Sequence, residues 1–256
     1  MQTVGTITAY IDLAQIMLYM FWIFFAGLIY YLVRENHREG YPMESGTSGR
    51  GVVKGWPIPE PKTFKLEGGK TVTVPDLHRG EPPLGGTMAE PSSGSPMVPK
   101  TNGMLDAVGP GSYTHREDTV EMSTDGKPLL QPLRVASAFS VAPQDVDPRG
   151  LPVMGGDGKQ GGVVRDMWID SAEMMFRYLE VETQSKSGMR RVLLPIPFAR
   201  IRRNQVEVNS IYGMHFADVP GLKNADQITK LEEEKVMAYY GGGTLYADPK
   251  RSEPLV

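Results

Sequence analysis

The sequence predicts a single transmembrane helix joined to a mainly-β domain, a small antiparallel barrel, with a helix near the C-terminal end. Three observations carry this. Leu13 to Val33 is a run of 21 residues without a formal charge, bounded by Asp12 and Arg34. Between Gly40 and Gly111 the chain places eleven of its 21 prolines. From Leu129 onward, short apolar runs alternate with turn residues.

The first run sets the anchor. At about 1.5 Å per residue a helix of this length spans roughly 31 Å, the hydrocarbon thickness of a bilayer. A core helix of a soluble protein would keep a polar face, and Gln15 is the one strongly polar side chain here. Residues 1–11 hold no Lys or Arg, whereas Arg34, Arg38, Arg50 and Lys54 follow the helix. Basic flanks stay on the cytoplasmic side, so the N-terminal residues 1–11 are expected outside and the rest inside. A cleaved signal peptide would need a basic start, a shorter apolar run and a small-residue cleavage site, none of which is present. Tyr10 at one end and Tyr30 and Tyr31 at the other suit the two head-group levels. Arg34 and Arg38 are candidates for contact with anionic lipid head groups, with Tyr30 and Tyr31 beside them.

Composition narrows the function. A net charge of −3 over 256 residues offers no broad attraction to nucleic acid. The absence of cysteine removes disulfides, thiolate metal sites and cysteine nucleophiles.

The proline-rich stretch, 35–128 with its flanks, cannot hold long regular elements. It is expected to be an extended arm laid over a partner. Thr63–Leu66 and Thr71–Val74 read as a hairpin turning at Glu67–Lys70. Trp56, Ile58, Met97, Val98, Met104 and Leu105 supply apolar contacts that a solvated tether would not need. Residues 129–248 form the β domain, with strands expected at 135–141, 162–169, 174–182, 190–196, 199–202 and 205–209. Alternation in Arg177–Glu182 predicts one wet and one packed sheet face. Leu231–Tyr240 reads as a helix with acids at the dipole's positive end, ended or frayed by Gly241–Gly243. Residues 249–256 read as a tail.

Most motifs carry no chemistry. Gly68-Gly69-Lys70-Thr71 resembles the end of a phosphate loop, but Phe64 stands where the earlier glycine belongs, and a hairpin surrounds it. The glycines at 155, 156, 158, 161 and 162 read as a hairpin loop. His37, His78, His115 and His215 share no metal-ligand spacing. The informative constellation is Asp170, Glu173 and Arg177. It reads as a capping box, or as a carboxylate pair able to exchange protons if partly desolvated. The spacing does not choose. Glu232-Glu233-Glu234 has the same ambiguity, and a dipole role suffices for it.

Several blocks together resemble one family. They are Phe21-Trp22-Ile23, Arg38-Glu39-Gly40-Tyr41-Pro42, Pro61-Lys62-Thr63-Phe64, Thr71-Val72-Thr73-Val74-Pro75, Asp106-Ala107-Val108-Gly109-Pro110, Asp147-Pro148-Arg149-Gly150-Leu151-Pro152-Val153, Phe176-Arg177-Tyr178-Leu179-Glu180 and Gly242-Gly243-Thr244-Leu245-Tyr246-Ala247. In this order the chain resembles the H subunit of the photosynthetic reaction centre of purple bacteria. The resemblance implies a single pass through the bacterial inner, intracytoplasmic (chromatophore) membrane, a periplasmic N-terminus and a PRC-barrel domain in the cytoplasm. It implies a non-enzymatic subunit that caps the L and M subunits at their quinone end and supports proton delivery to the secondary quinone. Bacteriochlorophyll, bacteriopheophytin, quinones and a non-haem iron would belong to the partner subunits, with no cofactor on this chain. A cytochrome subunit, a light-harvesting ring and membrane lipids are the further partners it suggests.

In that family a carboxylate pair with an Arg beside it belongs to the proton route, and the pattern falls on Asp170, Glu173 and Arg177. Some members carry a surface histidine pair at the mouth of the route. The corresponding stretch here, Thr124-Asp125-Gly126-Lys127-Pro128, has none, which leaves Asp125 as the candidate acid at the mouth. The rival readings are a membrane-tethered scaffold whose barrel docks an unrelated partner, and a hydrolase using Asp170 and Glu173. The second lacks any substrate-binding signature.

Overall fold

The computed structural model describes residues 12–41, 58–76, 85–90, 95–186 and 188–251. Tyr10, Pro42, Arg50, Lys54, Trp56 and His78, named above, lie outside them, as do residues 1–11 and 252–256 of the two termini. The chain divides into two compact units, Met1–Pro82 with Ser92–Gly94, and Pro83–Pro91 with Ser95–Val256.

In the first unit, helix α1 runs from Leu13 to Asn36. Asp12 caps it, its Oδ1 accepting the Gln15 N–H at 2.7 Å. None of its side chains is buried. Leu13, Phe24 and Ile23 are 55%, 64% and 74% exposed, a surface that water would penalise and lipid would accept. Past the helix, β1 (Lys62–Lys65) pairs antiparallel with β2 (Thr71–Val74), one residue from the expected hairpin. Its connection is a single 3₁₀ turn, Glu67–Gly69, in which Gly68 and Gly69 take φ of +76° and +78°. Those angles explain the glycines without a phosphate.

The second unit begins with a two-stranded ribbon, β3 (Gly86–Met88) on β4 (Met97–Pro99). Its main sheet contains β5 (Leu130–Pro132), β6 (Pro152–Gly155), β7 (Gln160–Asp170), β8 (Met175–Ser185), β9 (Gly188–Pro195), β10 (Arg200–Ile201) and β11 (Val206–Val208). The order is β10-β11-β6-β7-β8-β9, with β5 added to β7. Only the β11–β6 pair is parallel. The ladder itself does not join β9 to β10 among the described residues. Helix α2 (Lys230–Tyr246) follows, and its Val236, Tyr239 and Tyr240 are buried in one core with Val164, Leu179, Val181, Leu193 and Leu194 of the sheet. Each such side chain contributes about 1.5–3 kcal/mol by leaving water.

Three expectations need correction. The strand at 135–141 is absent: the last backbone bond to β7 is Leu133 N–H to Met167 O at 2.8 Å, after which Val135 and Ala136 donate to Pro132 O and Phe139 to Ala136 O in local turns. The polar face of β8 is not wet at its centre. Glu180 is 2% exposed and accepts Arg134 at 2.6 Å, Arg191 at 2.9 Å and the Trp168 indole at 3.0 Å. Finally, α2 does not stop at Gly241–Gly243 but continues to Tyr246. A Cβ on Gly242 would lie 3.0 Å from Met104 Cα, and one on Gly243 2.7 Å from Ser210 O. Close backbone approach requires these glycines, and burial holds the helix through them. Beyond α2, Pro249–Arg251 form a 3₁₀ turn, and Arg251 donates to the carbonyls of Ser210, Gly243 and Asn209.

Candidate functional site

The β7–β8 hairpin builds the site. β7 ends at Asp170 and β8 begins at Met175, and the turn between them places Met174 at φ +57°, rare for a non-glycine residue. Asp170 fixes that turn. Its Oδ1 accepts the N–H groups of Ala172 at 2.9 Å and Glu173 at 3.1 Å. The capping reading is thus half realised: Asp170 caps a hairpin turn rather than a helix.

Asp170 Oδ2 faces the other way and accepts Arg177 Nη1 at 3.1 Å. The same nitrogen lies 3.5 Å from Glu173 Oε2. One guanidinium therefore bridges both carboxylates, and the three side chains expected from sequence meet at one point. Their exposures grade inward, from 58% for the Glu173 side chain to 39% for Arg177 and 12% for Asp170.

The cluster has a member that sequence did not single out. Tyr178, next to Arg177 on β8, donates its hydroxyl to Glu233 Oε2 at 3.1 Å. Burial pushes the Glu233 carboxyl above its ordinary value of 4.5, although the Tyr178 hydrogen bond and the charge of Arg177 act against that. Burial, and then the nearby Glu233, push the Tyr178 phenol up. A small, partly open cavity of about 60 Å³ lies between Asp170, Arg177, Glu233, Arg116 and Glu121. That is room for one or two waters among several polar groups. A larger groove, about 510 Å³, exposes Glu173, Arg177 and Glu233 together beside Met175 and Met237.

The acids of α2 divide their roles. Glu232 makes a capping box with Thr229, its Oε2 accepting the Thr229 N–H at 2.9 Å, and its Oε1 accepts Lys223 N at 2.8 Å. Glu234 pairs with Arg116 at 3.5 Å. Glu233 bonds directly to the cluster, through Tyr178. The available signal was faint: a Tyr one residue after Arg177, and an acidic triplet on a helix with a buried face.

Asp125 is exposed on the Ser123–Lys127 turn, where Ser123 N donates to Lys127 O at 2.7 Å. It lines an open cleft of about 750 Å³ whose far wall includes Ser171 and Ala172 of the site hairpin. In the first unit Arg34 is exposed in the last turn of α1, with Tyr30 and Tyr31 43% and 51% exposed one turn before it. Arg38 is largely engaged by the protein. It pairs with Glu35 at 2.7 Å and donates to Glu60 O at 2.7 Å and Val74 O at 3.2 Å. Among the described residues, no group of three or more His, Asp or Glu is placed to hold a metal ion.

Residues 5–135 match the family described as photosynthetic reaction centre, H-chain N-terminal region, which covers just over half of the chain. The chain belongs to the reaction-centre H-chain family. Residues 144–215 match the PRC-barrel domain, and these hold β6 to β11 of the sheet. An H chain is a structural subunit rather than an enzyme. It associates with the L and M subunits in a complex whose pigments and quinones sit on other chains. With one helix among the described residues long and apolar enough to cross a bilayer, this H chain fits a membrane-anchored protein.

Proposed function

We propose that this H chain caps and stabilises the L and M subunits on the cytoplasmic side and delivers protons toward the secondary quinone during light-driven cyclic electron transport. In this reading α1 crosses the intracytoplasmic membrane with residues 1–11 in the periplasm, as the basic flank after Val33 favours. A cytochrome subunit and a light-harvesting ring complete its surroundings, and the chain holds no cofactor itself.

The observation that carries the proton role is the Arg177 bridge between an exposed and a buried carboxylate, next to a small polar cavity walled by Glu233. A quinone reduced by two electrons needs two protons, and a site shut from water receives them along titratable side chains and ordered water. Arg177 cannot release a proton at physiological pH, so it positions the carboxylates and transfers nothing. Glu173 takes a proton from bulk water, and Asp170 passes it inward through the cavity. Glu233, whose carboxyl burial raises above its ordinary value, is the group that takes it up there. Asp125 collects protons on the outer side of the same hairpin.

Glu173→Gln in the intact reaction centre tests this. The second, proton-coupled electron transfer to the quinone should slow by about tenfold or more, with primary charge separation unchanged. An unchanged second-electron rate would remove Glu173 from the route.

A further inference from the structure

The β1–β2 hairpin has an apolar face that is partly exposed and borders a groove beside the last turn of α1. Phe64 stands opposite Val72 and Lys62 opposite Val74, so these four side chains share one side of the ribbon. Leu66 continues that side. Phe64, Leu66 and Val72 are 38%, 49% and 42% exposed. The opposite side is polar: Thr63, Lys65, Thr71 and Thr73, with the hydroxyls of Thr63 and Thr73 bonded at 2.8 Å. An isolated two-stranded ribbon is marginal in water, so a strict apolar-polar alternation on one needs a non-aqueous surface to lie against.

If the apolar run of α1 spans a bilayer, its end sets the level of this ribbon. Three residues separate Val33, the end of the apolar run, from the end of α1, about 4–5 Å along the axis. This is within the head-group layer, which is about 5–7 Å deep on each side. Arg38, just past that end, donates to Val74 O and to Glu60 O, which ties the base of the hairpin to the helix there. Between them lies a groove of about 610 Å³, with Phe64, Leu66, Val72 and Val74 on one wall and the last turn of α1 on the other. The charge suits lipid: the ribbon carries Lys62, Lys65 and Lys70 against Glu67 alone. Lys62 also stands 5.3 Å from the Phe64 ring centre, its stem along the apolar face and its ammonium at the edge.

We infer that the β1–β2 hairpin is a second membrane contact of this chain, its Phe64–Leu66–Val72 face lying in the head-group layer where α1 emerges, with its lysines on anionic phospholipid. The groove beside Arg38 seats the upper part of an acyl chain. The ribbon then fixes the rotation of α1 about its own axis, which a single helix cannot do. This depends on α1 crossing a bilayer and not on proton delivery.

The absence of cysteine makes the test clean. Thr71→Cys and Val72→Cys, neighbours on opposite faces, are spin-labelled in the full chain and reconstituted into phosphatidylcholine vesicles with and without phosphatidylglycerol. Ile23→Cys in mid-helix reports that the chain has inserted. The ratio of oxygen to water-soluble nickel-chelate accessibility should be at least about threefold higher at 72 than at 71. Phosphatidylglycerol should raise that ratio, and Lys62→Glu, on the same side as Phe64, should abolish the rise. Equal, nickel-accessible labels would place the ribbon in water and overturn the inference. Labels shielded from both reagents would mean a second copy of the chain covers the face, and would overturn it equally. A ratio indifferent to phosphatidylglycerol would remove the anionic lipid.

Discussion

Glu233 shows what a single side chain contributes when its surroundings are supplied by distant parts of the chain. Burial raises its carboxyl above the unfolded value of 4.5, so the folded state keeps its proton to higher pH than the unfolded chain does. The corresponding stability is present below the unfolded value of 4.5 and is lost as pH rises from there through the higher folded value. Glu233→Gln removes this dependence. Urea unfolding of the full chain in detergent should show a variant whose stability changes less than wild type between pH 4.5 and neutrality, with an advantage that grows with pH. An unchanged slope would mean that the Tyr178 bond and Arg177 fully offset the burial. Asp170, Glu173 and Arg177 were legible in the sequence because they fall within one eight-residue stretch, and any tight turn over it brings them together. Glu233 lies 55 residues from Tyr178, its hydrogen-bond partner. No local pattern encodes that distance.

Among elements, the central strands were legible because β7, β8 and β9 are long and rich in branched and aromatic residues. Pro152–Gly155 and Leu130–Pro132 are too short to show a period, and Val135–Val141 shows apolar content without a partner strand. The helix glycines misled because local propensity is a weak prior against tertiary contact. Gly243→Ala follows from this. Alanine is the better helix former, yet its Cβ would stand 2.3 Å from Ile211 Cγ2 and 2.7 Å from Ser210 O. The variant should lose about 1–3 kcal/mol of stability by overpacking, measured by chemical denaturation; a gain would show that the 210–211 segment yields. The buried side of β8 makes a second prediction at this scale. Arg134 touches both Glu180 and Asp166, whose side chains are 3% and 9% exposed. Arg134→Ala removes the guanidinium shared by these two carboxylates, while Glu180 keeps Arg191 and the Trp168 indole and Asp166 keeps the Met167 N–H, and should cost about 1–3 kcal/mol, at the low end because Arg134 is itself nearly one-third exposed. Tryptophan fluorescence is a direct reporter, since the Trp168 indole donates to Glu180.

At the scale of the molecule, two compact units perform different work. One carries an apolar helix with no buried side chain and a ribbon tied to its end by Arg38; the other carries a β sheet with α2 packed on it and the carboxylate cluster at one hairpin. The division between anchor and β domain was legible from charge and proline content. That the arm's later part belongs with the β domain was not, because Gly103 and Gly111 pack against α2 through residues far apart in sequence. The proposed proton role depends on the whole assembly, since only a partner-supplied quinone would give the cluster a destination. The most direct measurement is flash-induced proton uptake, followed with a pH indicator, in intact reaction centres carrying Asp170→Asn together with Glu173→Gln. Uptake and the second electron transfer should slow together, by more than Glu173→Gln alone causes, while the first electron transfer keeps its rate. Uptake at the wild-type rate in the double variant would contradict a route through this chain.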